Sequence, residues 1–524
     1  MKKRTGAPGS SLHMNVNAKR LVPLLASLTI TACSIANYGP QPRMVMMEEQ
    51  LPPGMNTERY ERLDDNPFFA AKDSPLSTFS IDVDTASYAN VRRFLEQGSK
   101  PPKDAVRIEE LINYFNYQYA PPTGSSPFAV HAEVFACPWE PAHRLVKLGL
   151  KGREVDVSQR PAANLVFLLD VSGSMDSPNK LPLLKSALKM LTTQLREDDR
   201  VAIVVYAGAS GLALPSTPGS QRGRIVASLD ELQAGGSTNG AAGIQLAYRT
   251  AQEHFIKGGI NRVILATDGD FNVGVSSDGE LTRLVEEKAK SGVFLTVLGF
   301  GMGNYNDSML EKLADRGNGN YAYVDSEQEA KKVLVEQASG TLLTIAKDVK
   351  IQVEFNPSRV ESYRLIGYEN RLLRAQDFND DKKDAGELGA GHTVTALYEV
   401  IPVGSGATVN VPTVDALKYQ RVSPSLNANA TASDELMTVK LRYKAPESDE
   451  SQLMSFAVRD ASTPESSDAR FAAAVAEFGL LLRDSPFKAN ASFKQVTELA
   501  QAGAGNDPYR REFLALVQRA SKAD

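Results

Sequence analysis

Five side chains with oxygen donors lie in three loops of the sequence. The first loop reads Asp-Val-Ser-Gly-Ser from position 170, and the other two lie near positions 238 and 268. The candidate metal ligands are Asp170, Ser172, Ser174, Thr238 and Asp268. Hydroxyl and carboxylate oxygens favour Mg²⁺, Mn²⁺ or Ca²⁺, whereas Zn²⁺ prefers cysteine and histidine. We therefore predict a site for a hard divalent cation.

The make-up of this ligand set determines what a bound ion would do. Because three of the five ligands are neutral hydroxyls, the charge of the ion would be only partly compensated and the ion would stay electrophilic. Its open position would then favour an aspartate or glutamate side chain of a protein partner, in a charge-assisted contact. Gly173 lets the first loop wrap the ion closely. The residues thus favour metal-dependent protein binding.

Each candidate ligand also has an ordinary structural explanation. Asp170 and Ser172 are suited to cap the helix that follows them, and Thr238 is suited to cap the next helix. Asp268 precedes Gly269 and is typical of a turn. Five such residues at one edge of one sheet are harder to explain in this way, so the metal site is the favoured interpretation.

The segments around the loops alternate between predicted strands and helices. Nearly continuous apolar runs, typical of strands buried on both faces, lie at residues 165–169, 201–205, 263–266 and 294–298. Leucines recur at helical spacing between the first two runs. This alternation predicts a doubly wound, mainly parallel α/β sheet with helices on both sides. Ligands of such sheets bind beyond the carboxyl ends of the strands, where the three loops would meet.

The flanking segments have a different periodicity. Apolar residues alternate with polar ones at residues 130–134, 146–150, 349–355 and 437–443, which is typical of half-buried antiparallel strands. We expect these strands to form one β-sandwich, with the α/β domain inserted into it. The C-terminus is predicted to be helical, and its last helix to begin at Asp507-Pro508. Helices are also predicted at 106–117 and at about 328–346, and the leucine-rich helix is predicted to begin at Ser177-Pro178.

The five candidate ligands are similar, position by position, to the metal-ion-dependent adhesion site of von Willebrand factor type A domains. The segments 77–117 and 478–483 resemble the flanking regions of a family of bacterial type A domain lipoproteins. The resemblance implies a Rossmann-like type A fold and a last helix, after Val324, that moves in some type A domains when the metal captures a ligand. It also implies a binding module rather than an enzyme.

The N-terminus carries features of export. Lys19 and Arg20 precede an apolar run at 21–32 that is too short to span a membrane. The run ends in Ile-Thr-Ala-Cys33, which resembles the bacterial lipobox, so Cys33 is expected to carry lipid. An ordinary cleaved signal or a buried hydrophobic segment is the alternative, and Met14 is a second possible start. Ser34 after the cysteine favours the outer membrane, so we expect a lipid-anchored envelope protein with a periplasmic body.

These features divide the chain as follows. We predict a lipoprotein signal peptide at 1–33, a flexible linker at 34–75, an N-terminal helical and β region at 76–158, a type A domain at 159–326, a β-rich domain at 327–445 and a helical C-terminal region at 446–524.

Composition excludes several functions. With 58 basic and 63 acidic residues the net charge is −5, and no basic cluster stands out, so nucleic acid is not an expected partner. The histidines are scattered, and the sequence contains no His-Glu-x-x-His or Gly-x-Ser-x-Gly motif, so we expect no catalytic site. Asp82-Val83-Asp84-Thr85 resembles a phosphatase loop, but helix capping is favoured. Cys137 is expected to be a buried, inert thiol.

Two alternatives to a metal-dependent binding module stay open at this point. The first is a structural envelope scaffold, in which the cation only stabilises the fold. The second is a hydrolase of envelope substrates, for which the sequence offers no catalytic constellation.

Overall fold

The structure is a computed structural model of the chain. It describes residues 57–207, 210–236, 240–269, 278–407, 409, 411, 433–461 and 464–523. The predicted signal peptide, the predicted lipidation site Cys33 and the candidate ligand Thr238 lie outside the described residues.

The strands are β1 (Phe69–Ala70), β2 (Leu76–Ser80), β3 (Phe128–Ala136), β4 (Arg144–Gly152), β5 (Ala163–Asp170), β6 (Arg200–Tyr206), β7 (Ser210–Pro218), β8 (Ile260–Thr267), β9 (Phe294–Phe300), β10 (Tyr321–Val324), β11 (Thr344–Phe355), β12 (Val360–Ile366), β13 (Gly386–Gly389), β14 (Thr393–Pro402), β15 (Glu435–Lys444) and β16 (Ser451–Arg459). The α-helices are α1 (Ala86–Glu96), α2 (Ile108–Asn113), α3 (Leu181–Thr192), α4 (Arg222–Asp230), α5 (Gly240–Glu253), α6 (Asp278–Ala289), α7 (Asp307–Arg316), α8 (Glu327–Lys331), α9 (Ala338–Leu342), α10 (Ser467–Arg483), α11 (Phe493–Ala504) and α12 (Pro508–Ala523). Short 3₁₀-helices lie at Lys103–Ala105, Val157–Gln159, Gly173–Asp176, Gly219–Gln221, Glu369–Arg371 and Ala375–Asn379, and a π-helix lies at Lys332–Glu336.

The central sheet has the strand order β10-β9-β8-β5-β6-β7, and only its edge strand β7 is antiparallel. Strand β5 is buried along its whole length, which explains its continuous apolar sequence. Leu165, Phe167 and Leu169 pack with α3 and α4 on one face. Val166 and Leu168 pack with α5, α6 and α7 on the other. The predicted doubly wound α/β class is confirmed.

A β-sandwich is built from strands on both sides of the α/β domain in the sequence. One sheet has the order β1-β12-β14-β4-β3, and the other has the order β13-β11-β15-β16 with β2 paired to β11. Val146 and Leu148 of the first sheet share one core with Ile351 and Val353 of the second. The α/β domain is therefore inserted into the sandwich, as the period-two segments predicted.

The C-terminal helices pack against the two N-terminal helices. Apolar residues of α10, α11 and α12 form one core with α1 and α2. Gly479 lies where α10 meets α2, and a Cβ there would come 2.8 Å from the Ile108 side chain. Asp507 caps α12 by accepting hydrogen bonds from the amides of Tyr509 (2.8 Å) and Arg510 (3.2 Å), at the predicted start of this helix.

The predicted linker at 34–75 extends too far, because the chain is folded from Thr57 onwards. The carboxylate of Glu58 forms a buried ion pair with Arg93 at 2.9 Å. Phe68 is buried, and β1 pairs with β12. The polar composition of this segment suggested a spacer. The segment is instead held to the rest of the fold by ion pairs and strand pairing, and not by an amphipathic face.

Two predicted helices are shorter than expected. The helix predicted for 106–117 occupies only Ile108–Asn113. The helical stretch predicted for 328–346 is interrupted by the π-helix, and β11 already begins at Thr344. Within the described parts of the chain, no helix combines the length and the apolar character that a membrane crossing requires.

Candidate metal site

Asp170 occupies the carboxyl end of β5 and is fully buried. Its Oδ1 accepts a hydrogen bond from the Ser172 amide (2.9 Å), and its Oδ2 accepts one from the Thr267 hydroxyl (3.1 Å). Burial raises the pKa of the Asp170 carboxyl to about 6, and the negative charge of Asp268 contributes to this increase. The parallel pairing of β5 with β8 places these residues side by side at the sheet edge.

The hydroxyls of Ser172 and Ser174 lie 3.0 Å apart. Ser172 stands at the N-cap position of the 3₁₀-helix at Gly173–Asp176, but its hydroxyl makes no capping hydrogen bond. Neighbouring ligands of an octahedral Mg²⁺, each about 2.1 Å from the ion, lie about 3.0 Å apart. The two hydroxyls therefore have the spacing of adjacent metal ligands, and the expected alternative of helix capping by Ser172 is not seen.

Asp268 follows β8 and is also fully buried. Its Oδ2 accepts hydrogen bonds from the Lys180 ammonium (2.9 Å) and from the side-chain amide Nδ2 of Asn304 (3.2 Å). Gly269 continues the chain with a φ of +84°, in the left-handed region that favours glycine. Asp268 thus directly precedes a bend at Gly269, and its carboxylate is held at the same sheet edge as Asp170.

The third loop reaches the site through backbone contacts. The Gly235 amide donates to the carbonyl of Val171 (2.8 Å), and the Gly173 amide donates to the carbonyl of Gly236 (3.2 Å). These bonds hold the residues that lead to Thr238 against the first loop. Among the described residues, the fold therefore brings four of the predicted ligands to one sheet edge, and an oxygen-only donor set of this kind fits a hard divalent cation.

Lys180 is the residue of this site that sequence reasoning missed. Its side chain is 8% exposed and its ammonium also donates to the side-chain oxygen Oδ1 of Asn304 (3.2 Å). Lys180 lies at the N-cap of α3, which begins at Leu181 rather than at the predicted Ser177-Pro178. The ion pair joins residues 88 positions apart, so local spacing gives no indication of it.

A second acidic group lies in the sandwich, at the pairing of β11 with β13. Carboxylate oxygens of Asp348, Asp384 and Glu387 lie within 4.8 Å of one another. Burial and the neighbouring carboxylates raise the pKa of Asp384 to about 6 and that of Glu387 well above its usual range. Lys444 binds Asp348 at 2.7 Å. This group is the other place, in the described part of the chain, where several carboxylates converge on a possible cation position.

The Asp82-Val83-Asp84-Thr85 segment does not cap α1 as predicted. Thr85 occupies the N-cap position without a side-chain hydrogen bond, and the Ser87 amide is bound instead by Glu110 (2.7 Å). The carboxylate of Asp84 accepts a hydrogen bond from the Tyr321 amide (2.7 Å). Arg371 binds four carboxylates of this region: Asp82, Asp84, Glu311 and Asp315. These aspartates thus join the sandwich to the α/β domain.

Cys137 is buried, and burial raises the pKa of its thiol. A thiol in this state is a poor nucleophile.

Comparison with known proteins places this chain in a family. Residues 164–337 match the family model of von Willebrand factor type A domains, and residues 54–147 match a model described as von Willebrand factor. Residues 340–523 match the model described as uncharacterized protein YfbK, C-terminal. The chain is 47% identical over 473 residues to the uncharacterized protein YfbK of Escherichia coli K12, covering 88% of this chain and 81% of that protein. The chain belongs to the YfbK family.

More distant similarities of this YfbK family member cover smaller or less similar parts of other proteins. Human inter-alpha-trypsin inhibitor heavy chain H3 is 29% identical over 259 residues, which is 45% of this chain and 28% of that protein. A solved von Willebrand factor type A structure from Catenulispora acidiphila matches 75% of this chain and 89% of its own, at 16% identity and a TM-score of 0.42.

Proposed function

We propose that this protein is a divalent-metal-dependent protein-binding module that acts in adhesion or assembly at the bacterial envelope. The observation that carries the proposal is the convergence of Asp170, Ser172, Ser174 and Asp268 at the carboxyl edge of the central sheet. Such an edge is where open α/β sheets bind their ligands.

Asp170, Ser172 and Ser174 would hold the ion, and Asp268 and Thr238 would complete the set. A bound divalent ion supplies an electrophilic position that a carboxylate can occupy. The hydrogen bonds from Thr267 and the Ser172 amide fix the orientation of the Asp170 carboxylate before any ion arrives. The site is therefore preorganised, so little ordering has to accompany binding.

The proposal includes no catalytic step. An acidic side chain of a partner protein is the proposed ligand of the open position, and lipid on Cys33 is the proposed anchor to the membrane, with the outer membrane favoured. Nucleic acid is not a proposed partner, because basic residues do not exceed acidic ones.

The first experiment is thermal unfolding of the purified protein with Mg²⁺, Mn²⁺ and Ca²⁺. A ligand that binds only the folded state adds about 2.7 kcal/mol at a concentration one hundred times its Kd. We expect the ions to stabilise wild type and the Glu387→Gln variant, which alters the second acidic group, but not Asp170→Ala. If the ions stabilise Asp170→Ala but do not stabilise Glu387→Gln, the ion binds in the sandwich and the proposal is contradicted.

Partner binding is tested with immobilised protein and envelope extract. Wild type loaded with Mn²⁺ is expected to capture a partner. Capture should be lost when a chelator removes the metal, when Asp170→Ala replaces wild type, and when a glutamate-containing peptide is added as a competitor. A matched glutamine peptide serves as the control, because it lacks the charge. Metal-dependent stability without metal-dependent capture would instead support the scaffold alternative.

A further inference from the structure

Lys180 places a buried positive charge beside the candidate metal site. Its ammonium lies 2.9 Å from Asp268 Oδ2 and 3.2 Å from the Asn304 side-chain oxygen. The Asn304 amide donates to the same Asp268 oxygen at 3.2 Å. The three polar groups therefore bind one another in a closed arrangement.

The fold provides a slot for the stem of this lysine. Gly301 has a φ of +78°, and a Cβ at this position would lie 2.2 Å from Lys180 Cε. Any side chain at Gly301 would therefore displace the lysine. Lys180 itself is fixed by the start of α3, directly after the loop that carries Ser172 and Ser174. Three separate segments thus hold the ammonium where it is.

The ammonium changes the charge of the site. Asp170 and Asp268 alone would surround the cation with two negative charges, whereas Lys180 neutralises Asp268 and leaves one. A less negative site attracts a divalent ion less strongly, because each unit charge acts on the ion by Coulomb's law. The same site, once the ion is bound, retains more net positive charge and attracts an incoming carboxylate more strongly.

We propose that Lys180 is a specificity-determining residue that weakens binding of the divalent ion and strengthens binding of the partner's carboxylate. The inference rests on the proposed function, because it assumes an ion held by Asp170. It goes further by assigning a role to a residue outside the ligand set and by stating the direction of two separate affinities.

Mn²⁺ tests the first affinity, because electron paramagnetic resonance detects the free ion. Lys180→Met keeps the length of the stem and removes the charge, and we expect it to bind Mn²⁺ about tenfold more tightly than wild type. Lys189→Met is the matched control on the same helix, since Lys189 pairs with the distant Asp230 on the surface, and its Mn²⁺ affinity should be unchanged.

Acetate tests the second affinity. Displacement of water from bound Mn²⁺ lowers the relaxation rate of water protons, so a titration with acetate reports occupation of the open position. We expect Lys180→Met to need several times more acetate than wild type for the same displacement. Lys180→Gln, which keeps a hydrogen-bond donor for Asp268, repeats both measurements in case the apolar variant unfolds.

The outcomes separate the two proposals. If the Lys180 variants bind Mn²⁺ no more tightly than wild type while Asp170→Ala abolishes binding, the role of Lys180 is wrong and the metal site stands. If neither wild type nor the Lys180 variants bind Mn²⁺, the metal site itself is wrong and the role of Lys180 falls with it.

Discussion

The affinity of the site for metal should depend on pH through Asp170. Burial raises the pKa of this carboxyl to about 6 in the metal-free protein, and a metal binds only the ionised form. At pH 7.5 nearly all Asp170 is ionised. At pH 5 about one tenth is ionised, so the apparent Kd should be about elevenfold weaker, and each further pH unit should weaken it about tenfold.

Mn²⁺ titrations at pH 7.5, 6 and 5 and constant ionic strength measure this dependence. Asp384 also has a raised pKa of about 6, so Glu387→Gln is measured in parallel and should keep the same pH dependence as wild type. Circular dichroism at pH 5 establishes that the protein stays folded. A Kd that changes less than twofold between pH 7.5 and 5 would refute this reasoning, because it would show that Asp170 either is not a ligand or is already ionised at pH 5.

Three further predictions concern stability, each measured by chemical unfolding without metal. Asp170→Asn should stabilise the protein at pH 7.5 by up to about 3 kcal/mol, with no gain near pH 4, because the raised pKa of Asp170 makes folding less favourable as pH rises from about 4 to 6. A variant that is less stable than wild type at pH 7.5 would contradict this prediction. Burial also raises the pKa of Glu477, to about 7, so the same reasoning applies to this residue. Glu477→Gln should add about 1–3 kcal/mol to the free energy of unfolding at pH 8 but nothing near pH 4. Arg371→Met should cost about 3–5 kcal/mol, because it removes the guanidinium that four carboxylates share; a loss below about 1 kcal/mol would show that protonation compensates them.

The four inner strands of the central sheet, β5, β6, β8 and β9, could be predicted because they are buried on both faces. The apolar run at 165–169 lies within β5, and the run at 263–266 lies within β8. Burial on two faces leaves no polar alternation, so such strands are recognisable from sequence alone. The position of the Asp-x-Ser-x-Ser motif was predictable for a related reason, since its three candidate ligands are local in sequence and follow a strand end.

The parts of the fold and of the candidate site that the sequence did not predict depend on contacts between residues that are far apart along the chain. Lys180 reaches Asp268 across 88 positions, and Glu58 reaches Arg93 across 35. Ion pairs of this kind follow no helical or strand periodicity. Residues 57–75 were therefore predicted to be a linker from their composition. Glu387 belongs to a four-residue strand whose sequence is half glycine, which gave no indication of a buried carboxylate.

The segment after β10 is tied to the rest of the molecule in a way that bears on how binding could be transmitted. In type A domains whose last helix moves, that helix must be free to slide. Here Arg92 of α1 binds Asp325 at 2.5 Å and Glu329 at 2.7 Å, with all three side chains buried. The ammonium of Lys332 donates to the Tyr114 carbonyl at 2.6 Å.

Sliding this segment by one turn would separate these charged groups inside the protein, and breaking a buried ion pair costs about 3–5 kcal/mol. A ligand shifts a conformational equilibrium only by the difference between its affinities for the two states. A partner that binds through one carboxylate would have to supply this entire difference at the sheet edge. We therefore expect the last helix to stay in place when the proposed partner is captured. The type A domain would then present a rigid surface, held in position by α1 and the C-terminal helices.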